Sequence, residues 1–240
     1  MTRGITTANL GTPNYEKALQ QHADYVVALK ECGLNVTYLK PDERFPDSTF
    51  VEDVALLTAK CAIITSPSAS TRAQETIDIK PVIKRFYSKI YTIHAPGTLE
   101  AGDVMMVADH FYIGLSKRTN RQGANQLIEI LEKHSMTGSV VNLTEVLHLK
   151  TGLGYLENNK LLACGEFLCK SDFQQYDLLE VDLDEAYAAN SVWINDIVLT
   201  PKGFPKTKKL IENSGYQVRE VDVSEFQKID GGLSCLSLRF

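Results

Sequence analysis

The chain has 240 residues, 44% hydrophobic and 23% charged, a composition that can bury a substantial core in a single domain. Its formal net charge is −5, with 25 Lys+Arg against 30 Asp+Glu, and it has no basic block, so nothing in it suggests nucleic-acid binding. No stretch reaches the ~18 apolar residues of a membrane span, and MTRGITTANLG has no apolar run of signal-peptide length, so neither a membrane partner nor export is expected.

The predicted elements, taken in chain order, repeat one unit of strand, tight turn, strand, helix, strand. NYEKALQQHADYVVALKECG reads as a helix and LNVTYLK as a strand. VALLTAKCAIITS, the helical TRAQETIDIKPVIKRFY and KIYTIHA form the first full copy. DVMMVADHFYIGLS, RQGANQLIEILEKH and GSVVNL form the second. In the third, TGLGYLENNKLLACGEF is followed by a short helical piece, DFQQYDLL, and a strand, EVDL. SVWINDIVLTPKG, FPKTKKLIENSG and QVREVDV make the fourth, and GLSCLSLRF closes the chain as a strand. Ala108-Asp109, Asn158-Asn159 and Asn195-Asp196 are the turn pairs between runs rich in Val, Ile, Leu and Tyr. Leu127, Ile128, Ile130 and Leu131 give one helix its apolar stripe, and Gly215 is a helix stop. Joining the two chain ends would complete a fifth unit and close a ring of strand-containing units, with a site where loops from several units converge. Only MTRGITTANL is available for that unit's missing strand, so either the strand is very short or absent or the true start lies upstream. An open α/β sheet has the same local elements.

The five cysteines, Cys32, Cys61, Cys164, Cys169 and Cys235, are odd in number and show no close CxxC pair, which points to free thiols in a reducing cytoplasm. Each by default is a small buried apolar residue. Cys235 stands apart because Gly231 and Gly232 precede it, allowing close approach of a ligand at the start of a strand. His148, between Leu147 and Leu149, is either a half-buried structural histidine or a general acid/base. His22 and His134 fall on amphipathic helices and His110 at a hairpin turn, which makes them poorer candidates. Glu100 sits in a tight loop after Pro-Gly and before Ala-Gly-Asp. Asp47, Glu52 and Asp53 surround another strand start. They form a solvated loop or, turned to a common axis, an anionic pocket suited to a guanidinium. Arg72 and Arg118 are surface charges or a clamp on a carboxylate.

FPDSTFVEDVALL, APGTLEAGDVMMVADHFYIGLSKRTN, VLHLKTGLGYL, YAANSVWIND and KIDGGLSCLSLRF together resemble the dimethylarginine dimethylaminohydrolases of the guanidine-modifying superfamily, from about Leu10 to Phe240. The resemblance implies a five-bladed α/β propeller of ββαβ units forming one catalytic domain, with the first strand region shortened. It implies hydrolysis of N-omega-methylated arginine to citrulline and an amine, with no cofactor and no metal. Cys235 then matches the nucleophile, His148 the proton donor, and Glu100 the carboxylate supporting the histidine and the guanidinium. Asp53 and Glu52 match substrate-binding acids, Asp47 a contact to the amino-acid end, and Arg72 with Arg118 the pair on the α-carboxylate. Leu10, on a loop expected to act as a lid, Phe50 and the backbone of Ile229 match smaller contacts. The partner implied is a small-molecule methylated arginine; the sequence leaves the oligomeric state open, a homodimer included.

Arginine deiminases share that fold and nucleophile but carry an HxD pattern, whereas this chain has His148-Leu149-Lys150. One fewer acid favours a methylated end group over an unmethylated one. A non-catalytic propeller that binds a partner would not need Cys235, His148 and Glu100 together. A metal-binding protein would need a His/Cys spacing that is absent here.

Overall fold

The computed structural model describes residues 1–240. In chain order the elements are α1 (Tyr15–Glu31), β1 (Ala55–Leu57), β2 (Ala62–Ile64), α2 (Ala73–Ile83), β3 (Ile90–Thr92), β4 (Val104–Val107), β5 (His110–Leu115), α3 (Arg121–Glu132), β6 (Thr137–Asn142), β7 (Leu153–Tyr155), β8 (Lys160–Ala163), β9 (Asp177–Glu180), β10 (Val192–Ile194), β11 (Ile197–Pro201), α4 (Pro205–Asn213), β12 (Gln217–Val221) and α5 (Ser224–Gln227). The twelve strands form four separate three-stranded sheets. In each sheet a hairpin is antiparallel and the third strand returns parallel to the second. No helix is long and apolar enough to cross a membrane.

Local chemistry accounts for these elements. Asn158 and Asn159 have φ of 49° and 63°, and Asn195 and Asp196 of 47° and 70°. Short polar side chains tolerate that left-handed backbone better than bulky ones, which is what a two-residue hairpin turn asks for. Asn120 caps α3 by accepting the Gly123 N–H at 2.8 Å, and Asn14 caps α1 by accepting the Lys17 N–H at 2.9 Å. The buried side of α3 is Ala124, Leu127, Ile130 and Leu131, the three-to-four spacing of one helix face. Gly215, at φ 95°, ends α4 in the left-handed conformation that favours glycine.

The chain divides into two compact units. One comprises Met1–Thr49 and Gly152–Ser234 and holds α1, α4, α5 and the β7–β8–β9 and β10–β11–β12 sheets. Its core includes Leu156, Leu162, Val181, Val198 and Ile211. The other comprises Phe50–Thr151 and Cys235–Phe240 and holds α2, α3 and the β1–β2–β3 and β4–β5–β6 sheets. Leu99, Phe111, Ile113, Leu127 and Leu131, each less than 1% exposed, lie in its main apolar cluster. Each such side chain contributes about 1.5–3 kcal/mol by leaving water.

Three expectations are corrected. The expected fifth unit has no sheet: neither LNVTYLK nor GLSCLSLRF forms a strand. A strand without a neighbour leaves its ladder groups unpaired, and Tyr38 is 62% exposed. At the C-terminus, Asn190 accepts the Ser234 N–H at 3.0 Å and donates to Ser234 Oγ at 3.0 Å, turning the chain into a short 3-10 segment, Ser234–Leu236. Beyond it Phe240 is held by its ring against Phe86 and Tyr87, at 5.3 and 5.4 Å between centroids, instead of by a backbone ladder. In the third unit the expected helix is replaced by 3-10 turns at Gly165–Cys169 and Ser171–Phe173. Its strand falls on Asp177–Glu180, ahead of EVDL, because that register pairs with Lys160–Ala163.

Candidate active site

The second unit carries its charged groups on short turns at strand starts. Glu52 and Asp53 lie in the 3-10 turn Val51–Val54 just before β1, and both are 5% exposed. Glu100, 2% exposed, precedes the turn Ala101–Asp103, which leads into β4. His148 precedes the turn Leu149–Thr151 ahead of β7. Cys235, half-buried and in no disulfide, sits in the turn Ser234–Leu236. Cys235, His148, Glu100, Asp53, Glu52, Arg72, Arg118 and Phe50 all belong to this one unit.

His148 Nε2 lies 3.0 Å from Glu100 Oε2. The other oxygen of Glu100 accepts the Ser68 N–H at 3.2 Å and has Arg118 Nη1 at 3.8 Å. Burial pushes the imidazole pKa down. The Glu100 hydrogen bond and the charges of Asp53, Asp103 and Glu100 outweigh it and push the value up to about 9. His148 is thus an imidazolium at neutral pH. Asp53 Oδ2 pairs with Arg72 Nη1 at 2.6 Å. Burial raises the Asp53 carboxyl, but the charges of Arg72, His148 and Lys150 with the Arg72 hydrogen bond hold it below the usual carboxylate range.

The other oxygen, Asp53 Oδ1, is buried without a hydrogen-bond partner. A Cβ built on Gly102 would stand 3.0 Å from that oxygen and 2.8 Å from His148 Nδ1, so carboxylate and imidazole converge where Gly102 has no side chain. One donor atom from each of Asp53, Glu100 and His148 lies within 4.8 Å of the others. Two carboxylates flank the imidazolium here, and an organic cation with N–H donors placed beside them would satisfy the orphaned oxygen.

Other expected site residues are placed differently. Arg72, expected on a substrate carboxylate, is 5% exposed, and its guanidinium meets Asp53, Glu75 Oε2 at 2.8 Å and the Phe50 carbonyl at 2.9 Å. Glu52, expected on the substrate, is met by Lys150 Nζ at 2.6 Å. Leu10, Asp47 and Ile229 belong to the first unit. There Asp47 is buried and accepts the Ile5 N–H at 2.9 Å, Ile229 is buried, and Leu10 is 53% exposed. Asp103, Ser116, Thr119 and Glu75 carry no sequence signal of a site beyond the Ala-Gly-Asp step after Glu100, and in the sequence Lys150 marks only a missing acid.

The model for the N,N dimethylarginine dimethylhydrolase family, eukaryotic, matches residues 9–176. The N(G),N(G)-dimethylarginine dimethylaminohydrolase of Pseudomonas aeruginosa is 57% identical over 238 residues, 99% of this chain and 94% of that protein. The chain belongs to the dimethylarginine dimethylaminohydrolase family. A Streptomyces coelicolor member is 31% identical over 92% of this chain and 85% of its own. A solved Pseudomonas aeruginosa dimethylarginine dimethylaminohydrolase variant complexed with citrulline matches with a TM-score of 0.99 at 56% identity, over 100% of this chain and 94% of that one. The N-terminal domain of a cyanobacterial arginine dihydrolase, at 22% identity and a TM-score of 0.87, shares the fold alone.

Proposed function

We propose that this dimethylarginine dimethylaminohydrolase family member hydrolyses N-omega-methylated L-arginine to L-citrulline and methylamine or dimethylamine, through a covalent adduct on Cys235. Asp53 Oδ1, buried and without a partner beside the His148–Glu100 pair, carries this reading. A guanidinium N–H placed there satisfies the oxygen, while the two carboxylates fix the planar cation for attack. The roles of Leu10, Asp47 and Ile229 rest on family membership. Four three-stranded sheets, three of them with an α-helix before the third strand, and α1 as the remnant of a fifth unit support the five-bladed α/β propeller expected from the sequence.

The reaction runs in two halves. The Cys235 thiolate, favoured by the imidazolium and the cationic substrate, adds to the guanidinium carbon. Its C–N bond to the methylated nitrogen breaks, and His148 gives that nitrogen a proton as the amine leaves. His148 Nε2 is held by Glu100, so Nδ1, near Gly102 and Asp53, is the nitrogen left to exchange the proton. The resulting S-linked thiouronium is attacked by water, whose proton passes to neutral His148. Breaking the C–S bond returns the thiolate, and the hydroxyl proton of the adduct passes to solvent, where the released amine takes one up, as the C=O of citrulline forms.

Arginine deimination is disfavoured at one position. Lys150, where the deiminases hold an acid, is bound to Glu52 at 2.6 Å, so the second residue after His148 supplies a cation. The test is citrulline formed from asymmetric dimethylarginine and, separately, from arginine. Product from the methylated substrate, lost in Cys235→Ser and His148→Ala, is expected, whereas product from arginine alone overturns the reading.

A further inference from the structure

Asp103 is 0% exposed and has no place in the chemistry above, yet its two oxygens reach both sides of the His148–Glu100 pair. Oδ1 accepts the N–H of Leu149, the residue directly after His148, at 3.0 Å. Oδ2 accepts the Ser116 hydroxyl at 2.6 Å. Ser116 Oγ in turn accepts the N–H groups of Arg118 at 2.9 Å and Thr119 at 3.2 Å, and Thr119 Oγ1 accepts the Glu100 N–H at 3.1 Å. With His148 Nε2 on Glu100, these bonds close a ring that starts and ends at the histidine segment. Burial raises the Asp103 carboxyl, opposed by the His148 charge and by donors from Ser116, Thr119 and Leu149. A buried acid of this kind persists only where its donors match it.

We infer that Asp103 is a positioning residue of the active site, one oxygen fixing the backbone behind His148 and the other fixing, through Ser116, the loop that carries Arg118 and Thr119 and anchors Glu100. Asp103 is fully buried and its oxygens accept from Leu149 and Ser116, so it acts through the placement of His148 and Glu100. The inference rests on the catalytic reading of His148. An imidazole displaced by about 1 Å loses roughly 100-fold in rate even where substrate still binds. The expected signature therefore falls on turnover more than on binding.

The test uses the full chain with asymmetric dimethylarginine, reading kcat, KM and Tm for Asp103→Asn, Asp103→Ala, Ser116→Ala and His148→Ala. Asparagine keeps one oxygen for the Leu149 N–H but turns the other acceptor into a donor facing Ser116, whose lone pairs already serve Arg118 and Thr119. Folded Asp103→Asn is expected to lose roughly 100-fold in kcat with KM changed by less than about threefold. Folded Asp103→Ala, which holds neither arm, should lose more. If Asp103→Ala does not fold, Asp103→Asn and Ser116→Ala decide the matter, Ser116→Ala showing the same kcat-weighted loss at smaller size. Wild-type kcat in folded Asp103→Asn overturns the assignment, and so does a parallel fall in kcat and folded fraction alone. Turnover in His148→Ala would instead sink the catalytic reading itself, so the two failures are distinguishable.

Discussion

Lys150 Nζ stands 2.6 Å from Glu52 Oε1, and Arg239 Nη2 approaches the same oxygen at 3.8 Å. The acid next to Asp53 is therefore neutralised by cations from two segments, one following His148 and the other following Cys235. Glu52 thus ties the segments that follow His148 and Cys235 to the turn that carries Asp53. The side chains of Lys150 and Glu52 are 16% and 6% exposed, so water screens the pair weakly.

Removing Lys150 takes from Glu52 its 2.6 Å ion pair. Lys150→Met is expected to cost about 3 kcal/mol, since removing one partner of a largely buried ion pair is strongly destabilising. For a chain of this length that is a fall in Tm of roughly 6–12 °C. Calorimetry of Lys150→Met and of Lys150→Met with Glu52→Gln checks this: the double variant should recover most of the loss. Equal melting of wild type and single variant would show that the pair contributes nothing.

The Glu100–His148 bond predicts a pH dependence. The folded His148 value of about 9 is raised from 6.5, so its stabilising effect is complete below about pH 6.5 and is lost as pH rises through 9. In the proposed mechanism the imidazolium delivers the proton to the leaving amine, so the alkaline limb of kcat/KM should follow it. Glu100→Gln removes the main cause that raises the pKa and should move that limb to lower pH. A pH–rate profile from pH ~6 to ~10 measures it; an unmoved limb means that another group sets it.

How much of this could be read from the chain depends on whether the cause is local. The hairpins were legible because Asn158-Asn159 and Asn195-Asp196 carry the turn geometry in their own side chains. The α3 face was legible because its apolar spacing is that of a helix. LNVTYLK and GLSCLSLRF have strand composition, but a strand also needs a neighbour, and no six-residue window contains that information. In the site, Glu100 and His148 could be picked out by residue type and loop context. The acid in Ala-Gly-Asp looks like an ordinary solvated turn. Its burial follows from Ser116 and Leu149, 13 and 46 positions away, meeting it in the folded chain. Likewise Arg72 has the composition of a carboxylate clamp, and only the fold gives it to Asp53 and Glu75.

Gly102 illustrates a close approach that no backbone preference explains. It lacks the positive φ that requires glycine, yet an added Cβ would stand 2.8 Å from His148 Nδ1 and 3.0 Å from both His148 Cγ and Asp53 Oδ1. Gly102→Ala must therefore displace the imidazole, the Asp53 carboxylate or both. The expected result is a folded protein with kcat lower by roughly 10- to 100-fold and stability lower by about 1–2 kcal/mol. Steady-state kinetics with a denaturation curve distinguishes this from simple unfolding, and wild-type turnover would show that the ring has room to spare.

Gly123 marks where α3 docks on the loop that leads to Glu100. An added Cβ would fall 2.0 Å from the Thr98 carbonyl oxygen and 2.7 Å from its carbon, both backbone atoms that cannot swing aside. That carbonyl also accepts the Asn120 N–H at 3.1 Å, and the Thr98 N–H is taken by Asn120 Oδ1 at 3.1 Å, so helix cap and loop are tied together. Gly123→Ala gains helix propensity of about 1 kcal/mol but must separate these backbones, which costs about 3 kcal/mol or more. The net expectation is destabilisation by about 2 kcal/mol together with reduced activity, because the shifted loop carries Glu100 two residues later. Chemical denaturation and citrulline release measured on the same preparation check both halves. A stabilised variant would mean that α3 can slide off Thr98, and that the loop bearing Glu100 is held by something other than this contact.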